Sequence, residues 1–235
     1  MILKNMSYNF EFLDRLFLML DARQQDKLIS SRVIVFGVGG VGSAVAHMLA
    51  RSGVHHLGLV DFDNIDISNI NRQLVAYQDN IGENKVEALE KQLKNINPNI
   101  EIDRYPFKYS EETANTIDLE KYDYIVDCID DLNAKKLLIK QAKAQNIHIL
   151  CAMGAGNRYA EIPQFEIEDI SKTCYDPIAK ILRKFCKDER INKLSVCYTK
   201  QKSVKIDCNK IASVVYYVMN MASVMCAKII NDLIR

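Results

Sequence analysis

Val33-Ile34-Val35-Phe36-Gly37-Val38-Gly39-Gly40-Val41-Gly42 is the stretch that decides the fold. A β-branched apolar run reads as a buried strand, the glycines as a tight turn, and Val41 to Arg51 as the helix that follows. Gly37, Gly39 and Gly42 satisfy G-x-G-x-x-G. The first glycine permits the turn, the second lets backbone approach phosphate, and the third packs the helix on the strand. The helix start offers free N–H groups and a positive dipole end to an anion. A second strand, Leu57-Gly58-Leu59-Val60, ends in Asp61, nineteen residues beyond Gly42. A carboxylate at that distance can accept hydrogen bonds from a ribose. The strand, loop, helix and acid together specify a nucleotide site.

Cations and a third acidic strand end narrow the chemistry. Arg72 and Lys85 fall in a loop and a helix start downstream of Asp61. Two cations converging on a triphosphate would stabilise the charge that builds as pyrophosphate leaves. The run Tyr124-Ile125-Val126 leads into Asp127-Cys128-Ile129-Asp130, which puts Asp130 at the carboxyl edge of a parallel sheet. There it could hold Mg²⁺, which takes one or two carboxylates plus phosphate oxygens.

Strands are expected at about 32–37, 57–61, 101–106, 124–129 and 147–151, with helices at 41–51, 84–96, 110–117 and 131–145. This alternation predicts an α/β fold, a Rossmann-like parallel sheet with helices on both faces. A smaller C-terminal region extends it, with a strand over Ile162 to Ile167 and a helix over 176–187 that starts at Asp176-Pro177. Phe12, Leu13, Leu16, Phe17 and Leu20 recur at helical spacing, so Phe12 to Leu28 reads as one helix before the fold. No Gly- or Pro-rich linker interrupts the chain. It is expected to form one domain over 1–235, with an N-terminal helix in 1–31, a nucleotide-binding core in 32–152 and a substrate-side and dimer region in 153–235. Ile211 to Ala227 is seventeen uncharged residues, the lower limit of a membrane span. Its serines, asparagine and alanines make it a helix buried on the sheet or at a dimer interface, with peripheral membrane association as the minor reading.

These residues carry a resemblance. G-x-G-G-x-G, Asp61-Phe62-Asp63, Asn69-Ile70-Asn71-Arg72-Gln73, Lys85 and Asp127-Cys128-Ile129-Asp130 resemble the ubiquitin-activating-enzyme superfamily, which includes the ThiF-like adenylyltransferases that turn a carboxylate into an acyl-adenylate. The resemblance implies ATP and Mg²⁺ as cofactors. It assigns Gly37, Gly39, Gly40, Gly42, Asp61, Asp63, Asn69, Arg72 and Lys85 to the nucleotide, with Asp61 on the ribose and Asn69, Arg72 and Lys85 on the phosphates. Asp130 serves the metal. Arg15, eighteen residues before Val33, stands where relatives place an arginine that reaches into the partner subunit's site, which implies a homodimer and makes Arg15, Arg72, Lys85 and Asp130 the catalytic set.

The second half resembles the tRNA threonylcarbamoyladenosine dehydratase branch. It contains Gly154-Ala155-Gly156, Asp169-Ile170-Ser171-Lys172-Thr173, Asp176-Pro177-Ile178-Ala179, Arg183-Lys184 and Leu194-Ser195-Val196-Cys197-Tyr198. This implies a tRNA substrate and an ATP-driven ring closure. Relatives carry a longer loop where Lys200 to Lys210 runs into the last helix.

Composition fits that picture. The net charge of +1 excludes a global bias toward nucleic acid, yet nine Lys or Arg face two Asp or Glu between Lys180 and Lys205. With tRNA as partner, Arg183, Lys184, Lys187, Arg190 and Lys193 become the candidates for phosphate contacts. The seven cysteines form no C-x-x-C pair, which excludes the usual structural zinc site, and an odd count without a secretory signal suits a reducing cytoplasm. Cys208, beside Asp207, is the candidate reactive thiol. The four histidines show no metal-ligand spacing. Other classes use the same loop: an oxidoreductase would hold NAD in it, a nucleotide sensor would not turn over, and an adenylyltransferase would charge a sulfur-carrier protein through a transfer cysteine.

Overall fold

A computed structural model describes residues 10–207 and 210–235. Seven strands form one sheet: β1 (Arg32–Phe36), β2 (His56–Val60), β3 (Glu101–Tyr105), β4 (Tyr124–Asp127), β5 (His148–Ala152), β6 (Glu166–Asp169) and β7 (Ser195–Tyr198). Their order is β3-β2-β1-β4-β5-β7-β6. All pairings are parallel except that of β6, which runs antiparallel on β7 and closes one edge. The strand order reverses between β1 and β4, so the crevice opens beyond their carboxyl ends.

Alternation along β1 divides the core in two. Val33 and Val35 face one layer of helices, α3 (Gly40–Arg51), α4 (Lys85–Ile96) and α7 (Val215–Leu233), through Leu49, Leu89, Met221 and Met225. Ile34 and Phe36 face the other, α5 (Leu132–Ala144) and α6 (Pro177–Asp188), through Leu138, Ile139 and Leu182. The Rossmann-like reading of the sequence is the observed architecture.

Four elements differ from expectation. The N-terminal helix is broken into α1 (Asp14–Phe17) and α2 (Ala22–Ser30). Asp21 starts the second by a capping box, its carboxylate accepting Gln24 N–H at 2.8 Å while Gln24 Oε1 accepts Asp21 N–H at 3.0 Å. Gln25 Nε2 closes the end of the first through the carbonyls of Phe17 and Leu20. Residues 110–117 hold only a 3₁₀ turn, Ala114–Thr116. There the Thr113 hydroxyl accepts Ser110 N–H and donates to Lys108 O, competing with helical hydrogen bonds. The later strand lies at Glu166–Asp169 rather than Ile162 to Ile167, and its partner β7 has too short a pattern to stand out. The last helix starts at Val215 because Ala212 is held extended against Asn157, N–H to Oδ1 and O to N–H, both at 2.7 Å. Among the described residues no helix is long and apolar enough to cross a membrane.

Candidate active site

The glycine loop is built for close approach. Gly37 has φ +80°, and a Cβ there would meet Cys128 O at 2.7 Å. A Cβ on Gly42 would lie 1.8 Å from Gly37 O, so only glycine lets α3 pack this tightly on the turn. Gly39 caps α3. The helix therefore points its N-terminus at the crevice.

A cavity of about 570 Å³ opens there, and Gly37, Gly39, Gly40, Asp61, Asp63, Asn69, Arg72, Lys85 and Asp130 all line it. Asp61 braces the loop as well as facing the cavity. Its carboxylate accepts Val38 N–H at 2.8 Å and Asp63 N–H at 2.9 Å. Burial raises its pKa above the ordinary 3.8, a shift that Lys85 and the two backbone donors only partly offset. Lys85 is 5% exposed at the first turn of α4, and its Nζ lies 2.7 Å from Asp63 Oδ2. Arg72 is half-buried and rests on Ser68 O at 2.7 Å and Asn71 Oδ1 at 2.9 Å. Asn69 is buried, its Oδ1 accepting Asp66 N–H. Gln73, part of the same motif, presents a buried Oε1 with no hydrogen-bond partner among the described residues.

Asp130 is exposed in the cavity wall, three residues past the end of β4. The strand's last residue, Asp127, is fully buried and pairs with Lys135 at 2.8 Å. Lys135 Nζ also donates to Ala152 O at 3.1 Å, and Asp127 Oδ1 accepts Ile129 N–H at 3.1 Å. Burial alone would lower the pKa of Lys135, but the Asp127 carboxylate overrides it and holds the ammonium charged. The pair thus ties β4, β5 and α5 together beneath the loop that carries Asp130. Sequence reasoning missed Lys135. The signal was its place at a buried position of α5, three, four and seven residues before the apolar Leu138, Ile139 and Ala142.

The far end of the cavity is lined by Gly154 to Arg158 and by Asp176, Pro177 and Ile178. Arg158 and Asp176 form a second buried pair at 3.2 Å. The guanidinium also donates to Gly154 O and Gln201 O, and Asp176 accepts Gly154 N–H at 3.1 Å and, as the cap of α6, Ala179 N–H at 2.9 Å. Arg158 carried no motif in the sequence, yet it joins three separate loops.

Other expected residues lie elsewhere. Gly42 packs behind the cavity rather than in its wall. Arg15 is exposed on α1 and absent from the wall of its own chain's cavity. Lys184, Lys187, Arg190 and Lys193 are exposed on and after α6, whereas Arg183 turns inward to donate to Thr173 O at 2.7 Å. Lys136, Lys140 and Lys143 on α5 reach toward the same region: Lys136 sits over the Phe185 ring, Lys140 pairs with Glu189 and Lys143 donates to Lys193 O. Cys208 lies outside the described residues. Burial raises the thiols of Cys128 and Cys186 to about 12 and 11. Among the described residues no cluster of three His, Cys, Asp or Glu could hold a metal by itself.

The model of the ThiF family matches residues 13–233. Over 168 residues the chain is 41% identical to tRNA threonylcarbamoyladenosine dehydratase of Bacillus subtilis, covering 72% of this chain and 66% of that one. Over 157 residues it is 38% identical to the Haemophilus influenzae protein of the same name, covering 67% and 60%. The matched stretch is therefore just under two thirds of the length of these relatives. The solved structure of Escherichia coli tRNA N6-threonylcarbamoyladenosine dehydratase in complex with AMP superposes with a TM-score of 0.89 at 23% identity, covering 97% of both chains.

Proposed function

The chain belongs to the ThiF family, and from that footing we propose that it is an ATP-dependent enzyme that removes one water from threonylcarbamoyladenosine in tRNA. The observation that carries this reading is one continuous cavity with a phosphate-and-ribose cradle at one end and the Arg158–Asp176 wall at the other.

In this reading the glycine loop and the α3 N-terminus receive the phosphates, Asp61 the ribose, and Asn69, Arg72 and Lys85 the developing negative charge. Lys85 must loosen its contact with Asp63 to reach phosphate, so the pair holds the cation ready inside the site. The exposed Asp130 carboxylate in the cavity wall fits Mg²⁺, because this ion is held by one or two carboxylates together with phosphate oxygens. When bound it would neutralise phosphate charge beside Asp130. The threonyl carboxylate oxygen attacks the α-phosphorus and pyrophosphate leaves. A carbamoyl heteroatom of the same nucleoside then attacks the acyl carbon, closes a five-membered ring and expels AMP. The carbamoyl proton is lost to solvent. Proximity makes this last step fast without a protein nucleophile. Cys128 and Cys186, whose thiols burial holds protonated, have no part in this step.

Incubating the protein with ATP, Mg²⁺ and bulk tRNA, then digesting the RNA and weighing its nucleosides, tests this. Threonylcarbamoyladenosine should become one water lighter, with AMP and pyrophosphate formed alongside. Unchanged nucleosides with AMP formed on a carrier protein would replace this reading with the alternative.

A further inference from the structure

Tyr175 and Lys202 stand at the rim of the far end of the cavity, each next in sequence to a residue of its wall, Asp176 and Ser203. Tyr175 is 63% exposed and has φ +55°, the left-handed region that suits glycine and strains a bulky side chain. The cause lies next door. Asp176 is drawn inward by Arg158, Gly154 N–H and Ala179 N–H, so the chain turns sharply before it and throws the preceding side chain outward. Lys202 Nζ sits 5.2 Å from the centroid of the Tyr175 ring. The turn serves the fold through Asp176, but the fold makes no such use of the ring, a large aromatic side chain left in water. A cation lies over the ring, and most of the side chain remains open to solvent.

We infer that Tyr175 is a stacking platform for an unpaired nucleobase next to the modified nucleotide, with Lys202 on the phosphate of that neighbour. This rests on the RNA substrate proposed above. Every base has a π-face, and stacking on exposed aromatics together with a nearby cation is how proteins hold splayed single strands. A duplex would keep its bases stacked on one another, away from such a ring.

The test uses the full chain, ATP, and RNA hairpins whose loop carries threonylcarbamoyladenosine with 2-aminopurine on either side of it. A fully paired duplex with the same nucleoside serves as comparison. The wild type should bind a hairpin at least tenfold more tightly than the duplex and quench one of the two probes. Tyr175→Gly should lose the quenching and about tenfold or more in hairpin affinity, while its melting temperature rises because glycine fits this φ. Tyr175→Phe should keep both quenching and affinity, and Lys202→Gln should flatten the salt dependence of binding. ATP affinity should not change in any variant. A Tyr175→Gly protein that converts and binds the hairpin like the wild type would overturn the platform and leave the proposed reaction standing. A wild type that binds ATP but neither binds nor converts the hairpin would overturn both.

Discussion

Asp127 and Lys135 meet at 2.8 Å with solvent excluded from both, one at the end of β4 and the other near the start of α5. Their bonds to Ile129 N–H and Ala152 O fix the loop that presents Asp130. Removing one partner leaves a charge stranded in the core, which costs about 3–5 kcal/mol. Lys135→Met should therefore lower the melting temperature by roughly 10 °C or more. Asp127→Leu combined with Lys135→Met should regain much of that loss, while activity stays low because the loop has lost its anchor. Melting curves and turnover of the two variants check both halves.

Asp130→Asn removes the charge in the cavity wall while keeping the shape. Turnover should fall by about two to three orders of magnitude, as expected when an interaction realised in the transition state is lost. Nucleotide affinity measured by calorimetry should fall far less. A variant with near-normal turnover would take Asp130 out of the metal role.

Arg15 stands outside the cavity of its own chain, so a role in catalysis requires a second copy. Arg15→Ala and Asp130→Asn chains should each be inactive alone, and mixing them should restore activity to the fraction of sites that receive both intact residues. Light scattering should show a dimer. Failure of the mixture to recover would assign Arg15 to the surface.

The exposed Lys184, Lys187, Arg190 and Lys193 carry the expectation of RNA phosphate contacts. Reversing Lys184 and Lys187 to Glu should raise the KM for tRNA about tenfold and reduce the salt slope by about 0.7 per lost phosphate contact. ATP affinity should hold. Arg183→Ala, by contrast, should act through stability, since its guanidinium is bound to Thr173.

In its proposed role Asp61 accepts the ribose hydroxyls as a carboxylate, and burial raises its pKa above 3.8. On lowering the pH, ATP affinity should begin to fall earlier than it would for a surface aspartate. The same shift has the opposite sign for the empty fold. The native chain takes up this proton more readily than the unfolded chain, so Asp61 costs stability as the pH rises from 3.8 through its native value, and that cost stays constant above it. Calorimetric titrations from pH 8 down to pH 4.5 should show a steeper decline in the wild type than in Asp61→Asn, where only the ionisation of the nucleotide and of the remaining groups is left.

The glycine-loop end was legible because its demands are local. Glycines at fixed offsets, an acid at the end of β2 and a lysine at the start of α4 are each set by one turn or one strand end, and all but Gly42 line the cavity. The far end was not, because it is made by pairing across distance. Arg158 and Asp176 lie eighteen residues apart, and Gln201 comes from a third loop. No single window of sequence contains the partners that make Arg158 a buried cation. The break at Asp21 was missed for another reason: Leu28 falls in helical phase with Leu20 across a polar stretch, and the capping chemistry of Asp21 and Gln24 stops the first helix and starts the next. Lys135 was readable in principle, as a cation on an apolar stripe, but its partner had to be supplied by the neighbouring strand.

The packing of α7 on α3 bears on how the protein is made. Met221, Ala222, Met225 and Ile229, from the last stretch of the chain, share one core with Ala44, Val45 and Leu49 of the helix that follows the glycine loop. A ribosome would have delivered every residue of the phosphate cradle long before α7 emerged from its exit tunnel. Until then the face of α3 that meets α7 stays uncovered, so the nascent chain can pair its strands but cannot finish the layer behind the glycine loop. Nucleotide protection against proteolysis should accordingly appear only when synthesis has passed Ile229, and a chain stopped at Ala152 should aggregate or be degraded rather than persist as a smaller ATP-binding protein.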